Sequence, residues 1–208
     1  MSKQRIVLYG ATGKTGEYLM KEALNRKYKV KAIAYDVNKV SVTHPNLEVV
    51  YGHMISKEEI VECVKGHDTV IAVHEPLSIY PNGHIKSIRS VIDGAKSAGI
   101  NKLVIIAHPV YKPIENTMEF YDSWKPMTRA QHEALKLLQQ ERCLNWAYIY
   151  SPELEPDQRT GRIDTHGKML MASPKGVEEL QQKNYASVLL DKTIAKPSPT
   201  IMEMDMHN

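Results

Sequence analysis

The sequence has only two cysteines, no long apolar run and almost no net charge. Cys63 and Cys143 form no CxxC pair, which excludes zinc ribbons and redox dithiols. The N-terminus is apolar for only a few residues before Gly10, too short for a signal peptide, and no run approaches the roughly 20 apolar residues of a membrane span. A formal charge of +3 is too small to predict a nucleic-acid or membrane partner. We therefore expect a cytoplasmic protein; its oligomeric state stays open.

The length of 208 residues fits a single domain. A chain of this size removes about 70% of its unfolded surface from water, so it needs no disulfide or metal to hold its core. We predict one domain over residues 1–208, in which residues 152–208 form a small C-terminal lid over a substrate cleft.

Short β-branched runs alternate with helical patterns up to about position 150. The predicted strands are 6–9, 30–35, 47–51, 68–73, 102–107 and 145–150, and the longer predicted helices are 15–26, 84–98 and 127–142. The strands are almost continuously apolar, as in VIAV and LVIIA, which is typical of a parallel sheet buried on both faces. The pattern predicts an α/β fold with a doubly wound parallel Rossmann sheet. Residues 108–126, which contain three prolines, are predicted to form a long loop.

The strongest chemical signal is Gly10-Ala-Thr-Gly13-Lys-Thr-Gly16, which follows the first predicted strand and opens the first predicted helix. Gly10 permits a tight turn, Gly13 lets the backbone approach a pyrophosphate, and Gly16 allows close packing of helix on strand. The free amides at the helix start then hold the phosphate charge. This strand–loop–helix setting predicts a dinucleotide-binding site.

Asp36 lies 20 positions after Gly16, at the end of the second predicted strand. A carboxylate there binds the adenosine ribose hydroxyls and repels a 2′-phosphate. Lys14 argues the other way, because a cation beside the loop could pair with that phosphate. Asp36 could also be a plain turn residue at the strand end.

Four further segments accompany the glycine motif: HPNLEVVYGHMISKEEI, VKGHDTVIAV, LNWAYIYSPELEPDQRTGRI and NYASVLLDKTIAKP. With them, the chain resembles the NAD(P)H-binding atypical short-chain dehydrogenases, and within these the compact NmrA-like subgroup described as NADH-flavin reductases, relatives of the biliverdin/flavin reductases. The resemblance covers nearly the whole chain and is weakest over 74–90 and 108–126. It implies a Rossmann sheet, an NAD(P)H site along the strand C-termini and a shallow cleft under the C-terminal segment.

The glycine motif and the resemblance together predict a set of cofactor-binding residues at the ends of the strands. They are Gly10, Thr12, Gly13, Lys14, Thr15, Gly16, Tyr35, Asp36, His53, Met54, Val73, His74, Ala107 and Pro152.

Several of these positions depart from the pattern of the relatives. Tyr35 stands where relatives usually carry an arginine for the 2′-phosphate, so we expect NAD(P)H with NADH slightly favoured. His53 replaces a carboxylate that contacts adenine in relatives. After strands four and five, Val73-His74 and Ala107-His108 replace small residues and glycines at the nicotinamide end.

His74 and His108 are the predicted catalytic residues, because both follow strand C-termini and an imidazole can donate a proton near neutral pH. Each could instead simply close the cleft wall. Tyr121 and Lys125 match the YxxxK spacing of many short-chain dehydrogenases, but Pro126 is expected to end any helix at Lys125, so we discount the pair. No histidine has metal-ligand spacing, so we predict no metal site.

Two functions fit these patterns. The first is an NAD(P)H-dependent reductase that passes hydride to a flat acceptor such as a flavin or quinone, which needs stacking more than a strong acid. The second is a nucleotide-sensing regulatory protein, for which NmrA-like relatives are the precedent. A sugar-nucleotide epimerase or dehydratase is disfavoured, because those relatives carry a longer substrate domain.

Overall fold

The computed structural model describes residues 4–74, 81–107, 118–150, 161–163, 169–171, 187, 190–191 and 200–203. Its strands are β1 Arg5–Tyr9, β2 Lys29–Ala34, β3 Leu47–Tyr51, β4 Thr69–His74, β5 Lys102–Ala107, β6 Asn145–Tyr150, β7 Gly161–Ile163, β8 Met169–Met171 and β9 Thr200–Glu203. Its α-helices are α1 Lys14–Asn25, α2 Lys57–Val64, α3 Pro81–Ser97 and α4 Met118–Gln140.

Seven strands form one parallel sheet in the order β3-β2-β1-β4-β5-β6-β9. The chain runs outward from β1 to β3 and then returns to place β4 on the other side of β1. Strand order therefore reverses between β1 and β4, and in doubly wound sheets ligands bind outside the strand ends at such a point. The predicted doubly wound Rossmann sheet is confirmed.

Helices cover both faces of this sheet. Val7 and Tyr9 of β1 belong to a cluster with α2, α3 and α4, whereas Ile6 and Leu8 belong to a second cluster with α1. Because successive residues of a strand point to opposite faces, a strand buried on both faces must be apolar at every position. This double burial explains the continuous apolar runs of the sequence.

Helix α2 begins after an N-cap serine, Ser56. The Ser56 side chain accepts a hydrogen bond from the amide of Glu59, and Gly66 lies just beyond the helix with a φ of +76°. A left-handed residue after the last turn is a common helix end. The loop 52–55 that precedes α2 is tied to α3, because the Ser90 hydroxyl donates to the carbonyl oxygen of Ile55 at 2.8 Å.

The prediction that residues 118–126 form a loop is wrong. Helix α4 begins at Met118 and continues through Pro126, so Tyr121 and Lys125 are helical residues spaced to share one face. A proline removes one backbone hydrogen bond and crowds the preceding turn, a local cost of about 3 kcal/mol, and the helix continues on both sides of it. The remainder of the predicted loop, residues 108–117, lies outside the described residues.

The described parts of the C-terminal segment contact the rest of the domain at strand β6 and at the end of helix α1. Strand β9 pairs in parallel with β6, and β7 pairs with β8 in a separate antiparallel hairpin. Arg26 at the end of α1 donates to the Asp191 carboxylate and to both oxygens of Ser187, while Leu190 is buried in the α1-side cluster. Most of the predicted lid lies outside the described residues. In the part of the chain that is described, no helix has both the length and the apolar character to cross a membrane.

Candidate functional site

Two of the three motif glycines are required by the packing of the turn itself. Gly10 has a φ of +77°, and a Cβ there would lie 2.5 Å from the carbonyl oxygen of Val73 on β4. A Cβ on Gly16 would lie 2.0 Å from the carbonyl oxygen of Gly10. No side chain fits at either contact, so these two glycines bring the start of α1 directly against the ends of β1 and β4.

Gly13 is different, because its backbone does not require glycine. It is the N-cap of α1 with φ −80° and ψ 159°, values open to any residue, and its amide donates to the carbonyl of Gly10 at 3.2 Å. No side chain caps this helix start. The first amides of α1 thus lack intrahelical acceptors and carry the positive end of the helix dipole, an arrangement suited to a phosphate.

A cavity of about 730 Å³ opens beside Gly13, where strand order reverses. This is within the usual size of a small-molecule or cofactor site. The described residues that line it come from the ends of β1, β2 and β4, from the glycine turn after β1, from the loop 52–55 and from α3. They are Tyr9, Gly10, Thr12, Gly13, Ile33, Ala34, Tyr35, Gly52, His53, Met54, Ile55, Val73, His74, Gly83, Lys86 and Ser87.

Eight predicted cofactor residues line this cavity: Gly10, Thr12, Gly13, Tyr35, His53, Met54, Val73 and His74. Lys14, Thr15 and Gly16 lie behind them in the first turn of α1. Ala107 does not line the cavity; it is fully buried in the cluster shared with α3 and α4. His108 and Pro152 lie outside the described residues, so their predicted roles stay predictions.

Sequence reasoning missed the wall that α3 contributes through Gly83, Lys86 and Ser87. The signal available was topological, because the helix that follows β4 begins at the reversal of strand order. Lys86 is the one lysine or arginine among the described lining residues. It lies four residues before Ser90 on the same helical face, so it projects beside the loop 52–55 that Ser90 holds.

Asp36 acts as a turn residue in the structure. Its carboxylate accepts a hydrogen bond from the Asn38 amide at 3.1 Å and caps the short 3₁₀ helix Val37–Lys39. Asp36 is also not among the residues that line the cavity. The structure thus shows the simpler of its two predicted roles, and contact with a ribose stays a prediction.

An aromatic rim made of Tyr35, Tyr51 and His53 borders the cavity at the ends of β2 and β3. The ring centroids are 6.0 Å apart for Tyr35 and Tyr51, 6.4 Å for Tyr35 and His53, and 5.7 Å for Tyr51 and His53. Tyr35 is 76% exposed and Tyr51 59% exposed. Large rings left in water beside a cavity offer flat surfaces to a flat ligand.

The opposite, inner end of the cavity holds a buried histidine pair, His74 at the end of β4 and His84 on α3. The ring centroids lie 4.9 Å apart in an edge-on arrangement. Both residues are buried, and within the described part of the chain neither His74 ring nitrogen nor His84 Nε2 has a hydrogen-bond partner.

Burial, reinforced by the neighbouring His84, lowers the pKa of His74 from 6.5 to about 3, and burial lowers the pKa of His84 to about 4. Both rings are therefore neutral at physiological pH. His74 was predicted to donate a proton because imidazole titrates near neutrality. The structure removes that reason, and its two ring nitrogens are closed off from solvent.

Comparison with known proteins agrees with this geometry. Residues 10–191 match the family model described as NAD(P)H-binding, which spans the glycine turn, the described residues that line the cavity except Tyr9, and the Arg26–Asp191 contact. The chain belongs to this NAD(P)H-binding family.

Several known proteins are similar to this chain over most of their length, at low identity. The uncharacterized protein YwnB of Bacillus subtilis (strain 168) is 26% identical over 199 residues, which cover 90% of this chain and 91% of YwnB. An epimerase candidate from Bacteroides thetaiotaomicron has 24% identity and a TM-score of 0.68, with all of both chains covered. ChuY, an anaerobillin reductase from Escherichia coli O157:H7, has 16% identity and a TM-score of 0.66, with 96% of each chain covered. At these identities the two structures establish the fold.

Gly13→Val should abolish binding of NADH and NADPH while the fold survives. A branched side chain would fill the space beside the α1 amides, yet the Gly13 backbone angles accept it without strain. The measurement is the thermal shift that each nucleotide causes; at 100 times its Kd a ligand adds about 2.7 kcal/mol. Gly16→Ala is the contrasting control, and should lower the melting temperature even without nucleotide. A normal shift in Gly13→Val with both nucleotides would rule out this loop as the phosphate site.

The histidine pair should make the protein less stable in acid. Both folded pKa values lie below the ordinary 6.5, so the unfolded chain binds protons first and the free energy of unfolding falls as pH drops below about 6.5. Between pH 7 and pH 5 each histidine should contribute a loss on the order of 2 kcal/mol. Urea unfolding at both pH values should show a shallower dependence in His84→Leu and His74→Leu than in the exposed control His132→Gln. Equal dependence in all three would contradict the neutral pair.

Proposed function

We propose that the protein is an NAD(P)H-dependent reductase that passes hydride to a flat, redox-active acceptor such as a flavin or quinone. The observation that carries the proposal is the uncapped start of α1 beside Gly13, open to a cavity at the reversal of strand order. A reductase among the proteins of the same fold, ChuY, supports the reaction class.

The residues of the chain bind and orient in this proposal rather than take part in bonding. Bound NAD(P)H would supply two electrons and one proton as a hydride, and the acceptor takes any further proton from water. The α1 amides would hold the pyrophosphate, the aromatic rim would hold the base, and Val73, Met54 and Ile55 would provide apolar contacts. Hydride transfer of this kind needs the two flat rings stacked at roughly 3–3.5 Å and no strong acid.

The absence of a titrating donor at His74 fits such an acceptor. A carbonyl substrate becomes an alkoxide on hydride transfer and requires a proton in the transition state, whereas a flavin or quinone spreads the added charge over a conjugated ring system. A neutral, enclosed imidazole cannot supply the proton that reduction of a carbonyl requires. Reduction of a flavin or quinone does not require that proton, so the same imidazole does not hinder it.

A second candidate function, nucleotide sensing without turnover, is favoured by the same histidine pair. A protein that only binds needs the glycine turn but no proton donor, and His74 is closed off from solvent. The two functions differ in turnover and not in affinity, so a kinetic measurement separates them.

Cofactor choice rests on the end of β2. The carboxylate of Asp36 caps a turn outside the cavity lining, so repulsion of a 2′-phosphate is weaker than its position in the sequence suggests. Tyr35, the lining residue at this strand end, supplies no charge. We therefore propose that NADH binds at least as tightly as NADPH, with the two Kd values less than about tenfold apart. The difference would arise because Tyr35 offers the 2′-phosphate no positive charge, and not because a carboxylate repels that phosphate.

Tyr35→Arg should raise the affinity for NADPH selectively, by about tenfold, because a guanidinium pairs with a phosphate through charged hydrogen bonds. The measurement is the Kd of each reduced nucleotide from its fluorescence on titration. Tyr35→Phe, which keeps the ring and adds no charge, should leave the ratio of the two Kd values unchanged. If the wild type already bound NADPH tenfold more tightly, Lys14 or Lys39 would have to pair with the phosphate.

Oxidation of NAD(P)H should be well above the uncatalysed background with at least one of FMN, FAD, riboflavin or a quinone, followed at 340 nm. Tyr121→Phe should stay within a few-fold of the wild-type rate, because the acceptor needs no proton from the chain. The test matters since Tyr121 and Lys125 both lie within α4, four residues apart.

A loss of about 10²-fold or more in Tyr121→Phe would make Tyr121 the proton donor and Lys125 its partner. Tight nucleotide binding with no turnover on any acceptor would favour the sensor.

A further inference from the structure

The aromatic rim determines what the base end of the cavity can recognise. A dinucleotide whose pyrophosphate lies at Gly13 extends its adenosine half toward the end of β2, where Tyr35 and His53 line the cavity and Tyr51 packs beside them. Stacking on such rings depends on the face of the base, not on its edge groups.

His53 has no ring nitrogen available for the edge of a base. Its Nδ1 is buried 2.9 Å from Oε2 of Glu59, with no hydrogen-bond partner among the described residues, and its Nε2 contacts the hydroxyl of Tyr51 at 3.5 Å. Both nitrogens thus face groups of the protein. The imidazole can contribute its ring face to the cavity wall, but not a hydrogen bond that distinguishes one purine from another.

The other polar groups at this end do not favour adenine either. Among the described lining residues, none has a carboxylate side chain, which only accepts and would select a 6-amino group over a 6-oxo group, and none has a side-chain amide. The hydroxyl of Tyr35 rotates to donate or accept, so it suits a 6-amino and a 6-oxo group equally. The ammonium of Lys86 only donates, which suits a 6-oxo group.

We propose that this site holds its cofactor by stacking and phosphate contacts without recognising the 6-position of the purine, so that it accepts hypoxanthine dinucleotides as well as adenine dinucleotides. The proposal rests on the proposed dinucleotide site and extends it to a cofactor class. A pocket built to hydrogen-bond a substrate group rejects an analogue without it by 10⁴–10⁵, whereas an apolar pocket discriminates weakly. We expect Kd values within about threefold for the two bases.

The experiment compares AMP with IMP, and NADH with reduced nicotinamide hypoxanthine dinucleotide, by equilibrium titration of the full chain. Wild-type protein should bind both members of each pair within about threefold. Tyr35→Ser should weaken both members of a pair by the same factor, about tenfold, because it removes a stacking surface and no selective contact.

A designed acceptor should restore discrimination. His53→Asp is made together with Glu59→Gln, since two carboxylates so close would raise each other's pKa. This variant should prefer adenine by about tenfold, because aspartate accepts from the 6-amino group and repels a 6-oxo group. The matched control, His53→Asn with Glu59→Gln, has nearly the same shape but an amide that can serve either base, and should keep the ratio near one.

The outcomes separate this inference from the proposed function. If none of the four nucleotides binds, the dinucleotide site itself is wrong. If all bind but wild-type protein prefers adenine by more than tenfold, the site recognises the base edge and the inference is overturned while the dinucleotide site stands. The same holds if the aspartate and asparagine variants, both folded by thermal melting, show equal ratios, because position 53 then does not face the base.

Discussion

The site depends on the contact between Gly16 and the carbonyl of Gly10. A single added carbon at position 16 would lie 2.0 Å from that oxygen, and one at position 10 would lie 2.5 Å from the carbonyl of Val73. Helix α1 can begin directly above the ends of β1 and β4 only because both positions lack a side chain. Its free amides are thereby held at the reversal of strand order, so the fold creates an anion-binding surface before any ligand is present.

The two ends of the cavity differ in the solvent exposure and in the charge of their side chains. The rim at β2 and β3 leaves Tyr35 and Tyr51 largely in water, where their rings remain available for stacking. The inner end at β4 and α3 encloses His74 and His84 so completely that both stay uncharged. Charge recognition is therefore concentrated at the α1 amides, with Lys86 as the one cationic side chain among the described lining residues.

Much of this could be predicted from the sequence, because the decisive patterns are local. Continuous apolar runs predict strands buried on both faces, and the structure shows such strands. Glycines at 10, 13 and 16 directly after a strand predict the phosphate-binding turn, and the structure shows a turn at these glycines between β1 and α1. One error arose where tertiary structure decides the outcome, because the penalty of Pro126 is local and α4 extends past it. Ala107 belongs to the core cluster and the side chain of Asp36 caps a turn, so the predicted cofactor contacts of these two residues stay predictions. The pKa of His74 depends on burial that no local pattern expresses.

The cavity wall formed by α3 was missed because tertiary structure, and not a local sequence pattern, brings its residues to the cavity. Gly83, Lys86 and Ser87 belong to no motif; they reach the cavity because the topology places α3 beside β4, and because Ser90 ties that helix to the loop 52–55. The loop carries His53, and Glu59 from α2 holds the ring of that histidine. Three segments distant in sequence thus fix one aromatic side chain so that its nitrogens face the protein. One nitrogen of His53 is thus buried beside Glu59 and the other contacts Tyr51, which supports the proposal that the cavity recognises the face of a base rather than its edge.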